Sequence, residues 1–254
     1  MTAFGQVLRD MRGALGLSQA EMALQIGTTQ RHLSFVETGR SAPTAYFVTR
    51  LCRELNVSLA QRSNLFAAAG LPQAYPARDP ASPEITAALD TMERCVLRHW
   101  PFPAIVMNPA WTILRSNRPF RTLFAPFLPE TGNRPANLAE IMMRPDYRSM
   151  VVNWPDIAEH FYYRLQWAAT RHDEAKEVFA GLKAAGLFDV LPRSIPGAAP
   201  IFTPVDLRFP DGTGARLTSM VGQLMTVQDP LVEGYEIELF VPLDDDSATA
   251  LTPS

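Results

Sequence analysis

Apolar residues recur at helical spacing through the first seventy positions. Phe4, Val7, Leu8, Met11 and Leu15 share one face of a helix over residues 3–15. Met22, Ala23 and Ile26 mark the inward face of a second helix. Ser18 is its N-cap, and Glu21, three residues on, completes a capping box. Gly27 stands where that helix must stop and the chain must turn sharply, a position suited to a residue without Cβ. Thr29 caps a third helix with Leu33 and Val36 inward. Phe47, Val48, Leu51 and Leu55 predict a fourth over 44–55, and Ser58 opens a fifth that runs to about Ala69 before Gly70 and Pro72 end it. The pattern predicts an all-α unit of five helices over residues 1–71.

Four prolines within residues 71–83 predict a stiff connector, taken as a linker over 72–83. Ile85, Leu89, Met92 and Val96 then predict a helix over about 83–98. Beyond Pro101 the period changes. Ala104–Met107 is an apolar run stopped by Asn108-Pro109, and Trp111–Leu114 reads as a second strand. Asn117 precedes a short helix through Phe120, Leu123 and Phe124, and further helices are expected over about 137–143, 155–171 and 173–185. Strands are expected at Ile201–Phe209 and Ala215–Val227, hinged on Pro210–Gly214, and at Tyr235–Pro242, where Ile237, Leu239 and Val241 alternate with Glu236, Glu238 and Phe240. Hairpin, helices, then three strands is an α+β order with an antiparallel sheet over 84–244. The acidic stretch 245–254 reads as a disordered tail.

The chain of 254 residues is nearly half apolar, enough to bury a sizeable core. It contains no apolar run long enough for a membrane span, and its first residues do not read as a secretory signal, so the cytoplasm is expected. Cys52 and Cys95 lie far apart without metal-ligand spacing and read as reduced, buried small residues. The net charge is −3, but it is unevenly spread. Residues 1–70 hold seven arginines against four acids, and the rest sixteen basic against twenty-two acidic residues. A mildly basic module on an acidic body suits an electrostatic footprint confined to one face.

The third helix carries Gln30, Arg31, Ser34 and Phe35 away from its apolar face. A short helix with Gln and Arg at its exposed N-terminal end fits the major groove, Gln pairing with adenine and Arg with guanine. Ser34 reaches a base or a phosphate. Phe35 either touches a thymine methyl or packs toward the fourth helix. Gln19 and Arg40 suit phosphate contacts, Thr28 and Thr29 open the helix beside them, and Glu37 reads as structural, holding a local Arg or backbone amides. The segment resembles the helix-turn-helix of the xenobiotic-response-element and phage-repressor type. Ser18-Gln19, Ala23, Gly27, Leu33-Ser34 and Glu37-x-Gly39-Arg40 carry the match.

The second half resembles the ligand-binding domain of the MmyB-like transcription regulators, which has a PAS-like fold. The matching residues are Pro103–Val106, Trp111–Leu114 and Asn117, then Asn137-Leu138, Arg144-Pro145 and Val152-Asn153-Trp154, and finally Asp211-Gly212-Thr213 and Phe240-Val241-Pro242. Arg31–Glu37 also has the form that family uses. Asn108-Pro109 departs from it, since the family's usual turn there carries an acid. The resemblance covers about residues 4–245. It implies a bacterial, homodimeric, ligand-responsive regulator whose PAS-like domain holds a small apolar molecule, a fatty acid or acyl compound first among them.

Trp111, Phe120, Phe124, Trp154 and Phe161 are candidates for an apolar ligand wall, and Asn117, Asn153 and Arg164 for its polar anchors. Arg164 either snorkels, pairs with an acid, or clamps a carboxylate. No nucleophile elbow, zinc-protease helix, phosphate loop or dinucleotide fingerprint occurs, so no catalytic residue, metal or cofactor is expected. One short helix reads few base pairs, so two copies on a palindromic stretch of duplex DNA are expected. A domain that only holds two chains together, its interior filled by side chains, is the alternative to a sensor.

Overall fold

The computed structural model describes residues 2–72, 78–129, 134–190, 203–224 and 227–252. It divides into two compact units, one of Met1–Arg78 with Val227–Glu233 and the other of Asp79–Thr226 with Gly234–Ser254.

The first unit holds α1 (Ala3–Ala14), α2 (Gln19–Gln25), α3 (Gln30–Glu37), α4 (Ala45–Glu54) and α5 (Leu59–Ala68). The expected caps are made. Ser18 and Glu21 form a reciprocal box, as do Ser58 and Gln61, and the Thr29 side chain accepts the His32 N–H. These bonds satisfy N–H groups that have no partner in a first helical turn. Phe4, Leu8, Met22, Ile26, Leu33, Val36, Val48 and Leu51 form one core. Leu15, expected on that face, is exposed, because α1 has already ended at Ala14. Gly27 turns the chain at φ 66°, in the left-handed region where a side chain would be strained.

This unit also takes in α12 (Pro230–Glu233), a short helix from the stretch that joins two strands of the second unit. The Glu233 carboxylate accepts the Leu59 N–H at 2.6 Å, satisfying the first turn of α5, and Arg78 pairs with Asp229 at 2.7 Å. The linker expected at 72–83 therefore ends in structured chain, residues 73–77 of it lying outside the described residues.

In the second unit, α6 (Pro83–Cys95) leads to β1 (Ala104–Met107) and β2 (Ile113–Ser116). There follow α7 (Arg118–Phe124), α8 (Leu138–Met143), α9 (Pro145–Met150), α10 (Trp154–Ala169) and α11 (Asp173–Ala184). β3 (Val205–Arg208), β4 (Gly214–Gly222), β5 (Glu236–Pro242) and α13 (Asp245–Leu251) complete it. The described strands form one sheet in the order β2-β1-β5-β4-β3, each pairing antiparallel. The late strand β5 inserts between the β1–β2 and β3–β4 hairpins, with Val106 opposite Ile237. Residues 201–202 of the expected third strand and 225–226 of the fourth lie outside the described residues.

Two expectations need correcting. The acidic tail is helical over Asp245–Leu251, because Asp244 caps it through Ser247 N, Leu251 is buried, and the Ser247 hydroxyl accepts the Arg216 N–H at 2.8 Å. Cys95 is exposed at the end of α6, whereas Cys52 is buried and its thiol is pushed up to about 11 by that burial. Among the described residues no helix is long and apolar enough to cross a membrane.

Candidate functional site

The first candidate surface is the open end of α3. Thr29, Gln30 and Arg31 are exposed, as is Arg40 in the loop beyond, while Thr28, Ser34 and Phe35 are half-buried. Two guanidinium groups lie over the Phe35 ring, Arg31 at 5.4 Å and Arg40 at 5.8 Å from its centroid. The ring's negative face attracts both cations and so holds two positive charges side by side. Phe35 thus has a role that the sequence did not suggest, contact with two arginines. His32 packs edge-on against Phe47, the packed reading of that residue.

Glu37, at the far end of α3, is fully buried. Its carboxylate accepts Arg12 Nε at 2.7 Å and Gln19 Nε2 at 2.7 Å, with Arg9 at 3.9 Å. Burial alone would raise its pKa, but the hydrogen bonds from Arg12 and Gln19 and the two positive charges hold it below the ordinary carboxylate value. Gln19 thus uses a side-chain N–H to fix the start of α2 to the end of α3.

The second candidate is a cavity of about 290 Å³ between the helices and the sheet of the second unit. Leu123 and Phe124 of α7, Leu138 of α8, and Ile157 and Phe161 of α10 line one side, with Leu207, Leu217 and Phe240 on the strands opposite. Its polar rim holds Tyr147, His160, Thr203, Thr218, Ser219 and Glu238. Glu238 is buried and pairs with Arg164 Nη1 at 3.0 Å, while Arg164 Nη2 pairs with Glu236 at 2.8 Å. Burial lowers the pKa of His160, and Arg164 lowers it further against the pull of Glu238, so the imidazole is neutral at physiological pH. Burial and the Glu238 charge both push the Tyr147 hydroxyl up, so it stays protonated.

Of the residues expected to meet a ligand, Phe124 and Phe161 border this cavity. Phe120 stacks behind Phe124, centroids 4.3 Å apart, and Trp111 packs edge-on against Phe161 at 5.4 Å, so both back the wall. Trp154 is buried nearby in the same core, its indole N–H without a hydrogen-bond partner among the described residues. Asn117 is committed to the backbone. Its carbonyl accepts Ala104 N and Phe120 N, and its amide donates to Phe102 O at 2.7 Å and Trp100 O at 3.2 Å. Asn153 likewise pins β3, donating to Pro204 O and accepting Asp206 N. Arg164 lies over Trp111 and is consumed by its two acids, the pairing alternative rather than the carboxylate clamp.

The polar rim was missed from sequence, although a trace of it is there. Ile157, His160, Phe161 and Arg164 share one helical face, and Glu238 shares the Phe240 face of β5 at a spacing of two.

Residues 89–252, well over half of the chain, match the family model described as the MmyB-like transcription regulator ligand binding domain, and residues 8–61 match a helix-turn-helix model. No curated protein matches the chain. A solved structure titled as an RNA-binding Light-Oxygen-Voltage receptor aligns with 98% of this chain at 12% identity and a TM-score of 0.26, a likeness too distant to argue from. The chain spans 61% of that structure's length.

Proposed function

The chain belongs to the MmyB-like transcription regulators, and from that membership we propose that two copies read a palindromic DNA operator through α3 under the control of a small apolar molecule, fatty-acid-like in its chain, held in the cavity. The carrying observation is the exposed Gln30–Arg31 pair at the open end of α3, beside the Phe35-held Arg40. Side chains with bidentate hydrogen-bonding ends are exposed there, as reading of base edges requires. A helix of eight residues covers few base pairs, which supports two copies and half-sites about one helical turn apart. Such a regulator works where the chromosome is, in the cytoplasm. Both matched families are those of transcription regulators rather than enzymes.

The open cavity favours a sensor over a scaffold whose interior is filled by side chains. Covalent connection supports a path for the signal. β4 and β5 both border the cavity, and the stretch between them contributes Val227–Glu233 to the DNA-binding unit. A ligand that displaces one strand against the other strains this segment, and the population of reading-competent dimers shifts accordingly. Glu233→Ala removes the acceptor of the Leu59 N–H. It is expected to lower the denaturant stability of the first unit by about 1 kcal/mol and to weaken the effect of any bound ligand on operator affinity. Unchanged values for both place the segment outside the path.

The direct test is selection from a pool of random duplexes with the full chain, together with mass spectrometry of what co-purifies. An enriched palindrome and a stoichiometric aliphatic molecule, whose removal changes operator affinity, are the expected results. No enriched sequence overturns the DNA assignment. A clean protein whose operator binding ignores every lipid extract favours the scaffold.

A further inference from the structure

The cavity's polar rim restricts the head group of whatever occupies it, an argument that rests on the sensor reading above. Glu238 is the one charged residue among the described residues that border the cavity. Arg164, the partner of Glu238, is shared between Glu236 at 2.8 Å and Glu238 at 3.0 Å, so the trio carries a net negative charge. The neighbouring groups add no positive charge: His160 is neutral, and Tyr147, Thr203, Thr218 and Ser219 present neutral polar groups. Arg164 binds Glu238 through Oε2, and among the described residues Oε1 of Glu238 and the Tyr147 hydroxyl take part in no hydrogen bond. Both groups border the cavity and keep hydrogen-bonding capacity that a ligand there can use.

We propose that the cavity accepts an aliphatic molecule whose polar end is neutral or cationic and donates a hydrogen bond to Glu238, a hydroxyl or an ammonium, and rejects a free carboxylate. A hydroxyl fits both open groups, donating to Glu238 and accepting from Tyr147. An ammonium completes the charge balance of the trio. A carboxylate meets a like charge in a poorly hydrated space, and the guanidinium that would receive it is already occupied by two acids.

The test titrates the full chain with decanol, decylammonium and decanoate at mildly alkaline pH, following displacement of a fluorescent apolar probe. The native chain is expected to bind decanol or decylammonium about ten-fold or more tighter than decanoate. Glu238→Gln, checked by its melting curve, is expected to shrink that preference by about ten-fold. Tyr147→Phe keeps the charge; it is expected to weaken decanol while decanoate stays rejected, which gives a second reading if the Glu238 variant does not fold. Decanoate binding as tightly as decanol to the native chain overturns the head-group inference but leaves the sensor intact. Failure of all three probes sinks both.

Discussion

Replacing Glu37 with alanine is expected to destabilise the DNA-binding unit by about 3–5 kcal/mol, the usual cost of removing one partner from a buried ion pair. Three elements meet at this carboxylate: α1 through Arg12, the start of α2 through Gln19, and α3, which carries Glu37 itself. Arg12 also donates to Leu17 O at 2.9 Å, which ties the end of α1 to the turn before α2. Alanine leaves the Arg12 guanidinium, only 19% exposed, without its counter-charge, and the Gln19 amide without its acceptor. Small domains have few kcal/mol to lose, so a large part of this unit is expected to be unfolded and operator binding to fall with it. Glu37→Gln keeps the volume and part of the bonding, so its loss is smaller.

The same group sets a pH dependence of known sign. The folded pKa of Glu37 lies below its unfolded value of about 4.3. Its contribution is therefore complete above that value and is lost as pH falls through the lower, folded pKa. Denaturant melts of the native and Glu37→Ala chains should differ most near neutrality and converge in acid. A variant within about 1 kcal/mol of native at neutral pH removes Glu37 from the structural role.

The first unit was legible in sequence because its determinants are local. Ser18 with Glu21, the Ser58 cap, and Gly27 each act within a few residues, so spacing alone reveals them. What spacing does not reveal there is long-range. Nothing near Gln19 says that its amide turns toward a carboxylate eighteen positions later, and nothing near Leu59 says that its N–H is met by Glu233. α13 escaped for a related reason: Leu251 is a lone apolar residue in an acidic run, and only the neighbouring sheet supplies the partner that makes it worth burying.

The sheet order was legible only as a list of strands, since the pairing of β5 with β1 depends on contacts more than a hundred residues apart. The cavity was harder still. Large aromatic residues were natural candidates, yet Trp111 and Phe120 back the wall, while the groups that give it chemical character are Glu238, Tyr147 and His160. Asn117 and Asn153 looked like ligand anchors because a polar residue in an apolar setting needs partners, but backbone groups supply all the partners seen. Composition shows that such a residue must be satisfied and not by what.

Gln30→Ala and Arg31→Ala are each expected to lose about 1–3 kcal/mol of specific operator binding, and together to leave only the affinity shown for random duplex. Both side chains are exposed at the start of α3, so their removal leaves the core of Leu33 and Val36 untouched and the variants should melt like the native chain. Arg40→Ala should instead weaken specific and random duplex alike and flatten the salt dependence, as loss of a phosphate contact does. The three do not act independently. Arg31 and Arg40 lean on the same Phe35 ring, so deleting one frees the other to move, and the double loss is expected to differ from the sum of the single ones. Fluorescence anisotropy with the selected operator and a scrambled duplex, over a range of salt, separates these effects. If the Gln30/Arg31 double variant still prefers the operator by its native margin, the bases are read elsewhere, and α3 serves only to hold the fold.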